Sequence, residues 1–83
     1  MENLFVLGIS VSHRMNVSEQ IQHILTSNGC KINARIGLPL QEVNSCSDKG
    51  LIIIQLICSE EEAGKVKSEL NTLEGVKADL MVL

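Results

Sequence analysis

The sequence predicts an α+β domain of element order βαββαβ, in which a four-stranded antiparallel sheet carries both helices on one face. Three observations predict it. Two runs are almost continuously aliphatic, Leu4–Val11 and Leu51–Cys58. Two segments alternate apolar and polar residues, Cys30–Leu38 and the stretch from Val76 to Val82. Two stretches between them carry apolar residues at helical spacing. Continuous apolar runs suit strands with neighbours on both sides, and alternating segments suit half-exposed edges.

Leu4–Val11 reads as the first buried strand, broken by Ser12-His13-Arg14. Val17, Ile21, Ile24, Leu25 and Asn28 then fall on one stripe of a helix. Its N-cap is Ser12, or Asn16 with Glu19 three residues on. Gly29 suits a left-handed stop. In Cys30–Leu38, Ile32, Ala34, Ile36 and Leu38 share one face and Lys31, Asn33 and Arg35 the other. Pro39 is expected to end this strand, with Leu40–Lys49 a polar loop. After the second aliphatic run, Ser59 and Glu62 form a capping-box pattern, and Glu60, Glu61 and Glu62 occupy the first turn, where the helix dipole favours them. Ala63, Val66, Leu70 and Leu73 face inward. Glu74-Gly75 turns the chain into the last strand, where Val76, Ala78, Leu80 and Val82 alternate with Lys77, Asp79 and Met81.

This order is the split-βαβ, ferredoxin-like plan, with the first and third strands central. A register follows for the hairpin: Leu38 opposite Gly50, Ile36 opposite Ile52, Ala34 opposite Ile54, Ile32 opposite Leu56 and Cys30 opposite Cys58. These residues, with Phe5, Leu7, Ile9 and Val11, form the expected helix-covered core. The pairing also places Cys30 and Cys58 near enough for a strained disulfide on oxidation.

The opposite face then holds Leu4, Val6, Gly8, Ser10, Leu51, Ile53, Gln55 and Ile57, with Arg35, Lys77, Asp79, Met81 and Leu83 at its rim. Two helices cannot cover both faces. An aliphatic patch of Leu4, Val6, Leu51, Ile53 and Ile57 therefore faces outward, and its predicted use is self-association, through the face or an adjoining edge strand.

Composition excludes several functions. The 83 residues suit one domain, 1–83, with 45% hydrophobic and 20% charged residues, enough to fold. Phe5 is the one aromatic residue, which removes stacking platforms for single-stranded nucleic acid. Seven Lys and Arg against ten Asp and Glu give a net charge of −3 with no basic cluster, so neither direct nucleic-acid binding nor a polybasic membrane patch is expected. No aliphatic run approaches the ~18 residues of a membrane span. The three cysteines form no Cys-x-x-Cys pair, so a reducing cytoplasmic location is expected.

Catalytic constellations are missing as well. There is no phosphate loop, nucleophile elbow or local acid/base pair, so a non-enzyme without cofactor is expected. His13, His23, Cys30, Cys46 and Cys58 lack four-ligand zinc spacing, and no metal is expected. Ser12, His13 and Arg14, at a helix N-terminus, offer a hydroxyl, an imidazole and a guanidinium to a small polar ligand. An ordinary cap and solvated turn has the same composition.

In plan and size the chain resembles ACT-type regulatory domains. More closely, it is similar to the small stand-alone iron-only hydrogenase system regulators. The resemblance covers almost the whole chain. It rests on the opening strand, on Val11-Ser12-His13-Arg14, on Arg35-Ile36-Gly37-Leu38-Pro39 and on Leu73-Glu74-Gly75-Val76-Lys77. It implies a non-catalytic regulatory domain that self-associates and senses a small-molecule effector. A metal-sensing regulator domain and a ligand-free protein-interaction module are the alternatives. The chain departs from amino-acid-binding ACT domains by having Ser12-His13-Arg14-Met15 where they carry an Asp-x-Pro-Gly-like turn. It departs from nickel-responsive regulators by lacking a His on the second strand.

Overall fold

A computed structural model describes residues 3–12, 14–42 and 45–83, with side chains for 4–12, 17–38 and 50–83. The order is β1 (Asn3–Val11), α1 (Arg14–Ser27), β2 (Ile32–Glu42), β3 (Ser45–Cys58), α2 (Glu60–Asn71) and β4 (Val76–Val82), with a short 3-10 turn at Gly29–Lys31. The strands form one antiparallel sheet in the order β2-β3-β1-β4. The two aliphatic runs are the central strands, as their composition predicts.

One face of the sheet holds the core. Phe5, Leu7 and Ile9 of β1, Ile54 and Leu56 of β3, and Ala63, Val66 and Leu70 of α2 are fully buried. Ile21 and Leu25 of α1 are 1% exposed and close the layer from above. Fully burying such aliphatic side chains contributes roughly 1.5–3 kcal/mol each, which makes this layer the main source of stability.

Local sequence sets the helix ends. The capping box is formed: the Ser59 hydroxyl accepts from the Glu62 N–H at 3.2 Å, and Glu62 accepts from the Ser59 N–H at 3.2 Å. The Ser59 N–H, then its hydroxyl, hold the Glu62 carboxyl below the usual range. Lys31 adds an ion pair at 3.7 Å. At the end of α1 the stop differs from the left-handed glycine that the sequence suggests. Gly75 (φ 79°) is the one described glycine with positive φ. Gly29 instead opens the 3-10 turn, because Asn28 closes the helix with its side-chain amide on the Ile24 carbonyl at 2.8 Å.

The β2–β3 hairpin departs further from expectation. β2 runs past Pro39 to Glu42, and β3 begins at Ser45, so the predicted loop Leu40–Lys49 is largely strand. Proline is tolerated there because β2 is an edge strand and its register shifts between Pro39 and Gln41. A second shift falls between Ile32 and Ala34. Ile32 still faces Leu56, but Ala34 faces Gln55, Ile36 faces Ile53 and Leu38 faces Leu51. One inserted residue at Asn33 thus turns the rest of β2 over. Ile36 and Leu38 leave the helix side, and Arg35 and Gly37 take their place opposite Ile54 and Ile52. Cys30 sits in the 3-10 turn, exposed, while Cys58 is buried opposite Asn3, so the predicted strand pair Cys30–Cys58 does not form and the two are not joined in a disulfide.

Candidate functional site

The face away from the helices follows from the same pairing. Leu4, Val6, Gly8 and Ser10 of β1 lie beside Ile57, Gln55, Ile53 and Leu51 of β3. Lys77, Asp79 and Met81 of β4 flank one side. Ile36 and Leu38 of β2 flank the other, where the unbulged register puts Arg35. Leu4 is 36% exposed, Ile57 42%, Leu38 46% and Ile36 56%. Val6, Leu51 and Ile53 are half-buried by their neighbours alone. All five residues that the sequence assigns to the patch, Leu4, Val6, Leu51, Ile53 and Ile57, are therefore on the open face. The bulge adds Ile36 and Leu38, which the sequence reading places in the core. Their only sequence signal is Asn33, a poor strand former in the middle of an alternating segment.

Gly8 thins the centre of this face. Around it lies a shallow depression of about 510 Å³, walled by Val6, Ile53, Met81 and Asp79. Asp79 is the charged group at its edge. Its carboxylate accepts the Leu80 N–H at 2.9 Å and lies 3.5 Å from the Lys67 ammonium. These two contacts, the backbone one first, hold its carboxyl below the ordinary range.

Both edges of the sheet are blunted. On β4, Asn71 bonds both backbone groups of Ala78, accepting its N–H at 2.8 Å and donating to its carbonyl at 3.0 Å. Asp79 occupies the next outward N–H, that of Leu80. On β2, Pro39 and two register shifts interrupt the free edge. Such devices discourage strand addition. The face has no comparable protection.

The second candidate, Ser12-His13-Arg14, is brought together only in part. Ser12 is exposed, and its N–H donates to the Gly75 carbonyl at 2.8 Å. His13 and the Arg14 side chain lie outside the described residues, as does the Cys46 side chain. His23 is exposed on α1. Among the described residues no group of three His, Cys, Asp or Glu is placed to hold a metal ion. No helix among them is long and apolar enough to cross a membrane.

No protein-family model and no curated protein sequence matches the chain. Solved structures do. The uncharacterized protein TM1266 from Thermotoga maritima is 22% identical, with a TM-score of 0.88 over 100% of this chain and 99% of that one. The C-terminal domain of the MgtC protein from Mycobacterium tuberculosis is 12% identical, with a TM-score of 0.66 over 99% of this chain and 88% of that one. The nitrogen regulatory PII-like protein CPII from Thiomonas intermedia K12, in its apo form, is 16% identical, with a TM-score of 0.61 over 96% and 88%. The same protein bound to ADP, AMP and acetate gives a TM-score of 0.56. At these identities the likeness establishes a shared ferredoxin-like fold.

Proposed function

We propose that this chain is a small, non-catalytic regulatory domain that works as a homo-oligomer packed through its open sheet face and responds to a small effector. The carrying observation is that face: an aliphatic centre left uncovered while both sheet edges are blunted. The face spans four strands at ~4.8 Å spacing and about seven residues at ~3.4 Å rise, roughly 450 Å² in plan. Two copies together enclose roughly 900 Å² before side-chain relief is counted, in the range of weak, reversible interfaces below about 1,200 Å². Charge favours a second copy as the occupant. Lys77 and Asp79 lie two residues apart on the same face of β4. A two-fold that lays the strands antiparallel brings Lys77 of one copy toward Asp79 of the other.

The regulatory role is supported by the fold shared with CPII, a nitrogen regulatory protein whose structures include one with ADP and AMP bound. Control of an iron-only hydrogenase system is the finer assignment. It is supported by the resemblance carried by Val11-Ser12-His13-Arg14 and Arg35-Ile36-Gly37-Leu38-Pro39. A cytoplasmic setting accords with Cys30 and Cys58 not being joined in a disulfide.

The test is Ile53→Lys, which sets a charge beside Gly8 and Ile36 at the middle of the patch. Light scattering is expected to show an oligomer for the unmodified chain and a monomer for the variant, with far-UV circular dichroism unchanged. An unmodified chain that is already monomeric would hand the face to a different protein.

A further inference from the structure

The helix side of the sheet is not filled everywhere. Beneath α1, beside the last residues of β1, lies a pocket of about 260 Å³. Its cause is the turned-over register of β2. The two β2 positions that face α1 there are Arg35 and Gly37, a long cation and a residue with no side chain. A Cβ at Gly37 would meet no heavy atom within 4 Å. Gly50 of β3, opposite Val11, borders the same space. The floor is apolar, formed by Val11, Ile21 and Ile52. The rim is polar. Ser18 and Gln22 lie on the same side of α1, and the Arg35 guanidinium donates to the Gln22 side-chain oxygen at 2.7 Å.

We infer that this pocket is a binding site for a short aliphatic carboxylate, with the tail on Val11, Ile21 and Ile52 and the carboxylate on Arg35. Arg35 makes no ion pair with a carboxylate among the described residues, so its charge is free for a ligand. Its planar fork suits a bidentate carboxylate. Gln22 and Ser18 add donors beside it. Among the described lining residues Arg35 is the one charged group, so the site favours an anion. The volume equals that of roughly nine liquid waters, which limits the ligand to a small molecule. This inference rests on the effector-responsive part of the proposed function. It is separable from self-association, because Arg35, Gly37 and Gln22 hold the ligand from the helix side, although Leu38 and Leu51 of the open face also border the pocket.

The experiment is a titration of ¹⁵N-labelled full-length protein with valerate, valeramide and pentylamine, read by amide chemical shifts. Valerate is expected to give saturable shifts centred on Ser18, Gln22, Arg35 and Gly37. Valeramide and pentylamine should bind at least about tenfold more weakly, the equivalent of one strong polar contact. Arg35→Met, at an exposed side chain, should weaken valerate by a similar factor with the spectrum otherwise intact. Gly37→Val should fill the pocket and abolish the shifts. Valerate binding unchanged in Arg35→Met, equal binding of the amide, or no saturable shift at millimolar valerate would each overturn the assignment. Saturable shifts confined to the Ser12 loop would overturn it too, while leaving an effector-responsive domain in place.

Discussion

The two faces of the sheet are built from the same residue types and have opposite fates. On β3, Leu56 is fully buried and Ile57, the next residue, is 42% exposed. On β1, Phe5 is fully buried beside Leu4 at 36%. Hydrophobicity cannot separate these neighbours; only the placement of the helices does. Both helices follow central strands and fold back to the same side, so α1 and α2 seal one layer and leave the other bare. An open apolar face of this kind marks a surface suited to being covered by a second one. The difference teaches that in this chain the shared strands present one face to the core and leave the other, equally aliphatic, open.

Substitutions along one strand break that comparison apart. Leu56→Ala opens a cavity in the sealed layer and is expected to cost ~2–5 kcal/mol in urea unfolding. In a domain of this size, whose total stability is only about 4–12 kcal/mol, that threatens folding itself. Ile57→Ala, one residue along, should cost under ~1.5 kcal/mol at a given protein concentration and act mainly by weakening association. Equal losses at the two positions would contradict the division of labour. Ser59→Ala removes the capping box of α2, which seals only the helix side. It is expected to cost ~0.5–2 kcal/mol with the oligomer unaffected.

The smallest effect is a pH dependence. The Glu62 carboxyl is held below its ordinary value in the folded chain, chiefly by the Ser59 N–H. Its contribution is complete above the unfolded glutamate pKa and is lost as pH falls through the lower folded value. Urea midpoints measured from neutral to acid pH should therefore decline in the acid range. In Glu62→Gln, which keeps the cap, that part of the decline should be absent.

The division between faces was partly legible in the sequence. Leu4, Val6, Leu51, Ile53 and Ile57 lie on the side of the sheet that alternation predicts, because β1 and β3 pair without irregularity. Ser59 and Glu62 are equally plain, since a capping box is a local chemical pattern. Ile36 and Leu38 are misplaced for a physical reason. Both faces of β3 are aliphatic, so β2 finds apolar partners in either register, and the bulge at Asn33 decides between them. The length of the hairpin is missed for a related reason. Pro39 stops a central strand but not an edge strand with a register shift beside it. The pocket beneath α1 was not legible at all, because it arises only when Arg35 and Gly37 face the helix.

Sedimentation equilibrium of the unmodified chain across a dilution series tests the central claim most directly. The account predicts a mass at least twice the 9.1 kDa of one chain at tens of micromolar, falling toward that value on dilution. A single 9.1 kDa species at every concentration would contradict it.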